Sequence, residues 1–127
     1  MKTKIYKISL YVLSFLIPLI FSLLVFKSNN FYPFSNDGKT ILLIDAQGQY
    51  IAFYRYYKAI LSGDASLIYT LGKALGGDMM SIFTYYLASP FYLIFAFTKE
   101  INFPLALLII TVLKIATCGI TSYIFIN

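Results

Sequence analysis

The stretch ISLYVLSFLIPLIFSLLVF, residues 8–26, decides the fold class because it carries no charge and is about long enough to cross a bilayer as a helix. Near the centre of a span, each Val, Ile, Leu or Phe favours insertion by roughly 0.3 to 0.6 kcal/mol, which offsets the cost of Pro18 and three serines. A cleaved signal peptide is the competing interpretation, but its apolar region would be shorter, and no alanine precedes Ala46 to form a cleavage site. We therefore expect an uncleaved first transmembrane helix.

Two further apolar stretches, residues 79–98 and 103–126, are separated by the short polar link 99–102. The chain of 127 residues is 60% hydrophobic and only 12% charged, whereas an ordinary soluble domain is about 25% charged. So few charged residues cannot cover the exterior of a soluble domain of this size. The sequence therefore predicts an all-α integral membrane protein with three transmembrane helices. The lipid bilayer that surrounds these helices is the expected partner of the chain.

Residues 27–78 are polar enough to leave the membrane, and they hold four of the five acidic residues. Over about 47–62 the aromatic and apolar side chains recur at helical spacing, opposite a more polar face. The residues of this spacing are Tyr50, Phe53, Tyr54, Tyr57 and Leu61. Because tyrosine rings favour the headgroup region, the pattern predicts an amphipathic helix lying in the membrane interface within an otherwise irregular external loop.

The orientation of the spans follows from the basic residues. Residues 1–7 carry three lysines, which the positive-inside rule places in the cytoplasm, so that loop 27–78 lies outside and link 99–102 lies in the cytoplasm. Loop 27–78 holds five basic residues of its own, so a raw count of Lys and Arg leaves the opposite orientation open. The density of basic residues favours a cytoplasmic N-terminus.

Several kinds of chemistry are excluded by composition. The chain has no histidine, so Ser-His triads and His-ligated metals cannot be built, and its single cysteine, Cys118, lies in an apolar run. The formal charge of +5 comes from scattered residues without a recognisable nucleic-acid-binding motif, and no phosphate-cradling glycine motif is present. We therefore expect no nucleic-acid partner and no ATP hydrolysis, and any catalysis falls to Asp, Glu, Lys or Tyr.

Asp45 is the leading candidate for such chemistry, since it stands between the apolar run 41–44 and the amphipathic helix. A carboxylate at the membrane surface can act as a general base or hold a cation, and the structural alternative is a helix N-cap.

Asp37 reads as a turn residue, and Asp78 as a turn residue or as the cap of the second span. Lys114, the one charge within the third span, either faces a carboxylate or lipid phosphate or snorkels to an interface.

The order of these stretches resembles the YfhO-like family of large bacterial multi-spanning membrane proteins. The resemblance is carried by a D-x-x-x-Q-Y motif, here Asp45, Gln49 and Tyr50, followed about 35 residues later by Y-Y-L-x-S-P. The matching stretches are ILLIDAQGQYIAFYRYY at 41–57, GKALGGD at 72–78, YYLASPFYLI at 85–94 and LLIITVLKIATCGITSYIFI at 107–126.

That family is similar to GT-C glycosyltransferases, which transfer sugar from a polyprenyl-phosphate donor outside the cytoplasm by means of an acidic residue in the first external loop. The resemblance implies that Asp45 is catalytic, either as a base or as a carboxylate linked to a divalent metal, and that Gln49, Tyr50 and Lys114 contribute to substrate binding. Related envelope enzymes decorate polymers such as teichoic acids, which implies the plasma membrane of a Gram-positive bacterium.

Members of the family have many more spanning helices than three, so the resemblance implies that this chain is an N-terminal fragment, inactive without the remainder of a longer chain. The rival interpretation is a non-catalytic membrane protein: a transporter or flippase subunit, or an envelope assembly factor. In that case Asp45 is a helix cap, and Lys114 lies on a permeation path.

Overall fold

The computed structural model describes residues 2–35, 38–72 and 75–126, so Asp37 and Lys73 of the predicted external loop lie outside the described residues. The chain divides into two compact units. The first comprises Met1–Thr40 and Leu107–Asn127, and the second is Ile41–Ala106. The candidate residues Asp45, Gln49 and Tyr50 belong to the second unit, whereas Lys114 belongs to the first.

Helices dominate the described residues. The elements in chain order are α1 (Lys2–Ser28), a π-helical turn (Ala46–Tyr50), α2 (Ile51–Ser62), β1 (Tyr69–Thr70), β2 (Gly77–Asp78), α3 (Met79–Ile82), a second π-helical turn (Phe83–Leu87), a 3₁₀ turn (Pro90–Leu93), α4 (Ile94–Phe97), another 3₁₀ turn (Glu100–Asn102) and α5 (Phe103–Ile126). Two stretches, Tyr6–Ser28 and Glu100–Ile126, are each long and apolar enough to cross a membrane, which confirms the membrane-helix class.

In the first unit, α1 and α5 approach closely at Gly119. A Cβ built on Gly119 would lie 2.3 Å from the carbonyl oxygen of Ser14 and 2.6 Å from Cγ of Pro18. Pro18 has no N–H, so it cannot bond the carbonyl four residues earlier, which is that of Ser14. The bare backbone of Gly119 therefore packs against the carbonyl that Pro18 frees, and such Cα–H contacts to carbonyls recur at helix interfaces.

The predicted second transmembrane helix, residues 79–98, is not one continuous helix. It is two arms, Met79–Leu87 and Pro90–Phe97, bent by 106° at the break. Pro90 accounts for the bend, because it offers no N–H to the helix and forces the residue before it to be extended. Ser89 is indeed extended, with φ −81° and ψ 132°. Within the described part of the chain, the number of candidate spans is three only if this bent pair counts as one span.

The core of the second unit is aromatic. Tyr54 of α2 stacks on Phe95 with ring centroids 4.3 Å apart, and Phe95 meets Phe103 edge-on at 5.0 Å. Tyr57, one turn further along α2, lies 6.0 Å from Phe83 of the first arm. Tyr54 and Tyr57 of the predicted tyrosine face are therefore buried against the two arms, whereas the sequence pattern predicted that this face lies among lipid headgroups.

A small β-hairpin stands where the sequence suggests only irregular loop. β1 and β2 pair antiparallel, with Tyr69 opposite Asp78 and Thr70 opposite Gly77. The hydroxyl of Tyr56 on α2 lies 3.2 Å from the carbonyl oxygen of Ser66 and 3.1 Å from that of Tyr69, within donating distance of both. The hairpin is thereby attached to α2 immediately before the first arm begins.

Candidate functional site

Asp45 stands at the N-cap position of the first π-helical turn but does not behave as a cap. Its backbone is already helical, with φ −64° and ψ −30°, and its side chain makes no capping hydrogen bond. A capping residue has an extended backbone and a side chain that accepts from the first amides of the helix. The capping alternative for Asp45 is therefore not realised, and its exposed carboxylate faces outward.

Asp78 shows what a cap looks like in this chain. Its backbone is extended, with φ −68° and ψ 121°, and its carboxylate accepts from the amides of Met80 at 2.9 Å and Ser81 at 3.0 Å. Of the two roles that the sequence left open for Asp78, the structure shows the cap. The two aspartates thus provide a matched pair of one capping and one non-capping carboxylate.

The backbone just before Asp45 is strained. Ile44 has φ +49°, the left-handed region, and its side chain is 88% exposed. A β-branched residue rarely adopts this conformation, which costs on the order of 1 to 3 kcal/mol. Such outliers cluster at functional sites, where they fix the direction in which the chain presents a side chain.

The π-helical turn after Asp45 contains both other residues of the motif. A π-helix bonds residues five apart, so Tyr50 comes one turn above Asp45. Partial loss of hydration raises the pKa of Tyr50, and the neighbouring Tyr86 and the Asp45 carboxylate raise it further. Tyr50 is therefore a neutral phenol at physiological pH, a hydrogen-bond donor rather than a base.

Tyr86, from the second π-helical turn, completes the aromatic wall behind this motif. Its ring centroid lies 5.1 Å from that of Tyr50 and 5.4 Å from that of Phe53. Neither Tyr86 nor the contact between the two π-helical turns is predicted by local sequence. The one available signal is that Tyr86 lies within the YYLASPFYLI stretch of the family resemblance.

Gln49 borders an open groove of about 430 Å³ beside this wall. The groove is lined by Gly48, Gln49, Ala52, Phe53, Gly72, Ile82 and Tyr86. It shares Ala52, Phe53, Gly72 and Ile82 with a smaller cleft of about 130 Å³, which is also lined by Tyr56 and Met79. Mostly apolar concavities of this size with a few polar groups are typical of small-molecule sites.

Lys114 is half-buried in α5 and belongs to the first unit, whereas the D-x-x-x-Q-Y motif belongs to the second. Among residues 2–35, 38–72 and 75–126, no three Asp, Glu, Cys or His side chains lie close enough to hold a metal ion. What the structure assembles is the amide of Gln49 and the phenol of Tyr86 at a groove, with Tyr50 packed on Tyr86 and Asp45 at the start of the same π-helical turn.

Comparison with protein families matches residues 14–127 to the family described as bacterial membrane protein YfhO. The chain belongs to this family. No curated protein and no solved structure gives a significant match. The YfhO match runs from α1 through the motif and the two arms to the end of α5, and it identifies the chain as a bacterial membrane protein.

Proposed function

We propose that this YfhO-family chain carries part of the active site of a membrane glycosyltransferase, which transfers sugar from a polyprenyl-phosphate donor to a cell-envelope acceptor outside the cytoplasm. The observation that carries the proposal is the state of Asp45. Its carboxylate is exposed and is not used to cap the helix it precedes. A general base needs such an accessible carboxylate within hydrogen-bonding reach of the acceptor hydroxyl.

The other motif residues have binding roles in this proposal. Gln49 contributes an amide at the rim of the groove, which can both donate to and accept from sugar hydroxyls. Tyr50 and Tyr86 present phenols whose rings pack together, and the raised pKa of Tyr50 keeps its proton available for donation. Lys114 is proposed to meet the lipid phosphate from within the bilayer, where a buried cation marks a substrate path.

The rival function is a non-catalytic membrane protein, such as a transporter or flippase subunit or an assembly factor. One feature of the second unit is compatible with it, because the groove is largely apolar and would also accommodate a lipid without reaction. The two functions differ in what they require of Asp45. Catalysis requires its negative charge, whereas passive binding tolerates an uncharged residue of the same shape.

The deciding experiment is Asp45→Asn in the complete protein in its host. We expect sugar transfer to envelope polymers to fall by about 10²-fold or more, the range for losing a general base. The matched control is Asp78→Asn, because Asn is itself a good N-cap and preserves the hydrogen bonds to the start of the first arm. Transfer is measured in isolated membranes with a labelled polyprenyl-phosphate sugar, and abundance is measured in parallel.

Two results would decide against the proposal. Full transfer by Asp45→Asn at normal abundance would remove the catalytic role and favour the non-catalytic rival. An equal loss in Asp45→Asn and Asp78→Asn would show a general sensitivity of this unit to the loss of a carboxylate charge.

A further inference from the structure

We propose that Met79–Phe97 does not cross the bilayer but forms a re-entrant hairpin, defined by its two arms, that inserts into one leaflet and returns to the side from which it entered. Link 99–102 then lies on the same side of the membrane as α2, which replaces the expectation that it lies in the cytoplasm. The exposed surface of the hairpin contacts the lipid of the leaflet next to α2.

The lengths of the arms support a hairpin. Met79–Leu87 has nine residues and Pro90–Phe97 has eight, and the bend between them is 106°. At rises of about 1.5 to 2.0 Å per residue, each arm is about 13 to 14 Å long. Each arm is thus less than half of the roughly 30 Å hydrocarbon core, and a bend beyond a right angle prevents their lengths from adding.

The contacts of the two arms with α2 carry the argument further. Phe83 of the first arm meets Tyr57, and just after the second arm the carbonyl oxygen of Thr98 accepts a hydrogen bond from Nζ of Lys58 at 2.5 Å. Both contacts fall on adjacent residues of α2, a helix of 12 residues that is only about 18 Å long. Along one continuous helix Phe83 and Thr98 would lie about 22 Å apart, at about 1.5 Å per residue, which is too far for both to meet adjacent residues of α2.

The ion pair between Arg55 and Glu100 indicates the depth in the membrane at which link 99–102 lies. Arg55 Nε lies 2.7 Å from Oε2 of Glu100, and the two side chains are 58% and 54% exposed. A half-exposed ion pair belongs in water or among headgroups, because charged groups are costly in hydrocarbon. Since Arg55 is on α2 and Glu100 is in the link, α2 and the link share one membrane surface.

The exposed side chains of the arms match a lipid partner. Residues 79–98 contain no charged residue, and Tyr85 and Phe97 are 79% and 91% exposed. The flanking helices α1 and α5 are both long and apolar enough to span, so the segment between them is held at the membrane. An uncharged surface with exposed rings at that location is suited to acyl chains.

The hairpin is tested by cysteine labelling of the full chain in intact cells, in a Cys118→Ser background that removes the native thiol. The test position is Lys99→Cys in the link, and Ser66→Cys in the loop before β1 marks the side of α2. Thr3→Cys marks the other side and keeps all three N-terminal lysines. We expect a membrane-impermeant maleimide to label positions 66 and 99 equally, with no increase on permeabilisation, and position 3 only after permeabilisation.

Labelling of positions 99 and 66 from opposite sides would overturn the hairpin and establish a complete span at 79–98. If Lys99→Cys is not inserted, Asn102→Cys at the other end of the link provides the same comparison. An independent measurement is cross-linking of Arg55→Cys with Glu100→Cys by a short bismaleimide, with Arg55→Cys and Thr3→Cys as the negative control. Failure to cross-link at normal abundance would also contradict the proposal, which does not depend on sugar transfer.

Discussion

Gly119→Ala should destabilise the packing of α1 on α5, and the structure gives the size of the effect. The added methyl would lie 2.3 Å from the Ser14 carbonyl oxygen and 2.6 Å from Cγ of Pro18, whereas ordinary contacts begin near 3.4 Å. The helices must therefore separate locally by about 1 Å, because one obstacle is backbone and the other is a rigid ring. Overpacking of this kind costs typically about 1 to 3 kcal/mol.

The intrinsic preference of helices for alanine opposes this cost by at most about 1 kcal/mol. The net expectation is a loss of up to about 2 kcal/mol. The assay is reversible unfolding of the full chain in mixed micelles, followed by circular dichroism. Gly48→Ala is the matched control, since nothing lies within 4 Å of a Cβ at Gly48 and the same change should be neutral or stabilising there. A stability change in Gly119→Ala equal to that in Gly48→Ala would refute the close approach, because the overpacking cost of about 1 to 3 kcal/mol would then be absent.

Two further predictions concern the aromatic core of the second unit. Phe95→Ala should lower the free energy of unfolding by about 3 to 5 kcal/mol, because Phe95 is fully buried. Phe97→Ala, at a 91% exposed position, should change that free energy little, and similar effects of the two substitutions would contradict the core assignment. Burial raises the pKa of Tyr54 above its ordinary value of 10.0, and the neighbouring Tyr92 raises it further. The folded state therefore favours the neutral phenol, so the contribution of Tyr54 to folding stability is complete below pH 10.0 and is lost as the pH rises. In Tyr54→Phe, the free energy of unfolding should therefore fall less steeply with alkaline pH, in titrations followed by phenolate absorbance. An unchanged slope would exclude Tyr54 as the source of this pH dependence.

The sequence predicts the features that depend on composition and period. The uncharged run 8–26 and the apolar run 103–126 are enough to identify helices that can span, since hydropathy is a sum over residues. The spacing of Tyr54 and Tyr57 likewise predicts that α2 has one aromatic face, because helix periodicity is local, but not that this face packs on the two arms. Membership of the YfhO family also follows from the order of the motifs, now matched over residues 14–127.

The sequence does not predict features that depend on the direction of the backbone or on contacts between residues far apart in the chain. Hydropathy cannot distinguish one span from two arms, and Pro90 is equally compatible with a kinked membrane helix. Whether Asp45 caps its helix depends on a backbone rotation at Ile44 that few β-branched residues adopt. Tyr86 reaches the motif only through the fold of the arms on α2. The Asp45 carboxylate, the groove and the Tyr50 contact are therefore visible only in three dimensions.

The aromatic core also has an optical consequence. Eight of the twelve tyrosines lie within the second unit, and the chain contains no tryptophan to accept their excitation. Rings such as those of Tyr50, Tyr54, Tyr86 and Tyr92 lie within about 5.5 Å of another tyrosine ring, so excitation can migrate between them before emission. The ultraviolet emission of the unmodified protein should therefore be depolarised and dominated by this unit, and separation of α2 from the arms would restore its anisotropy without any attached dye.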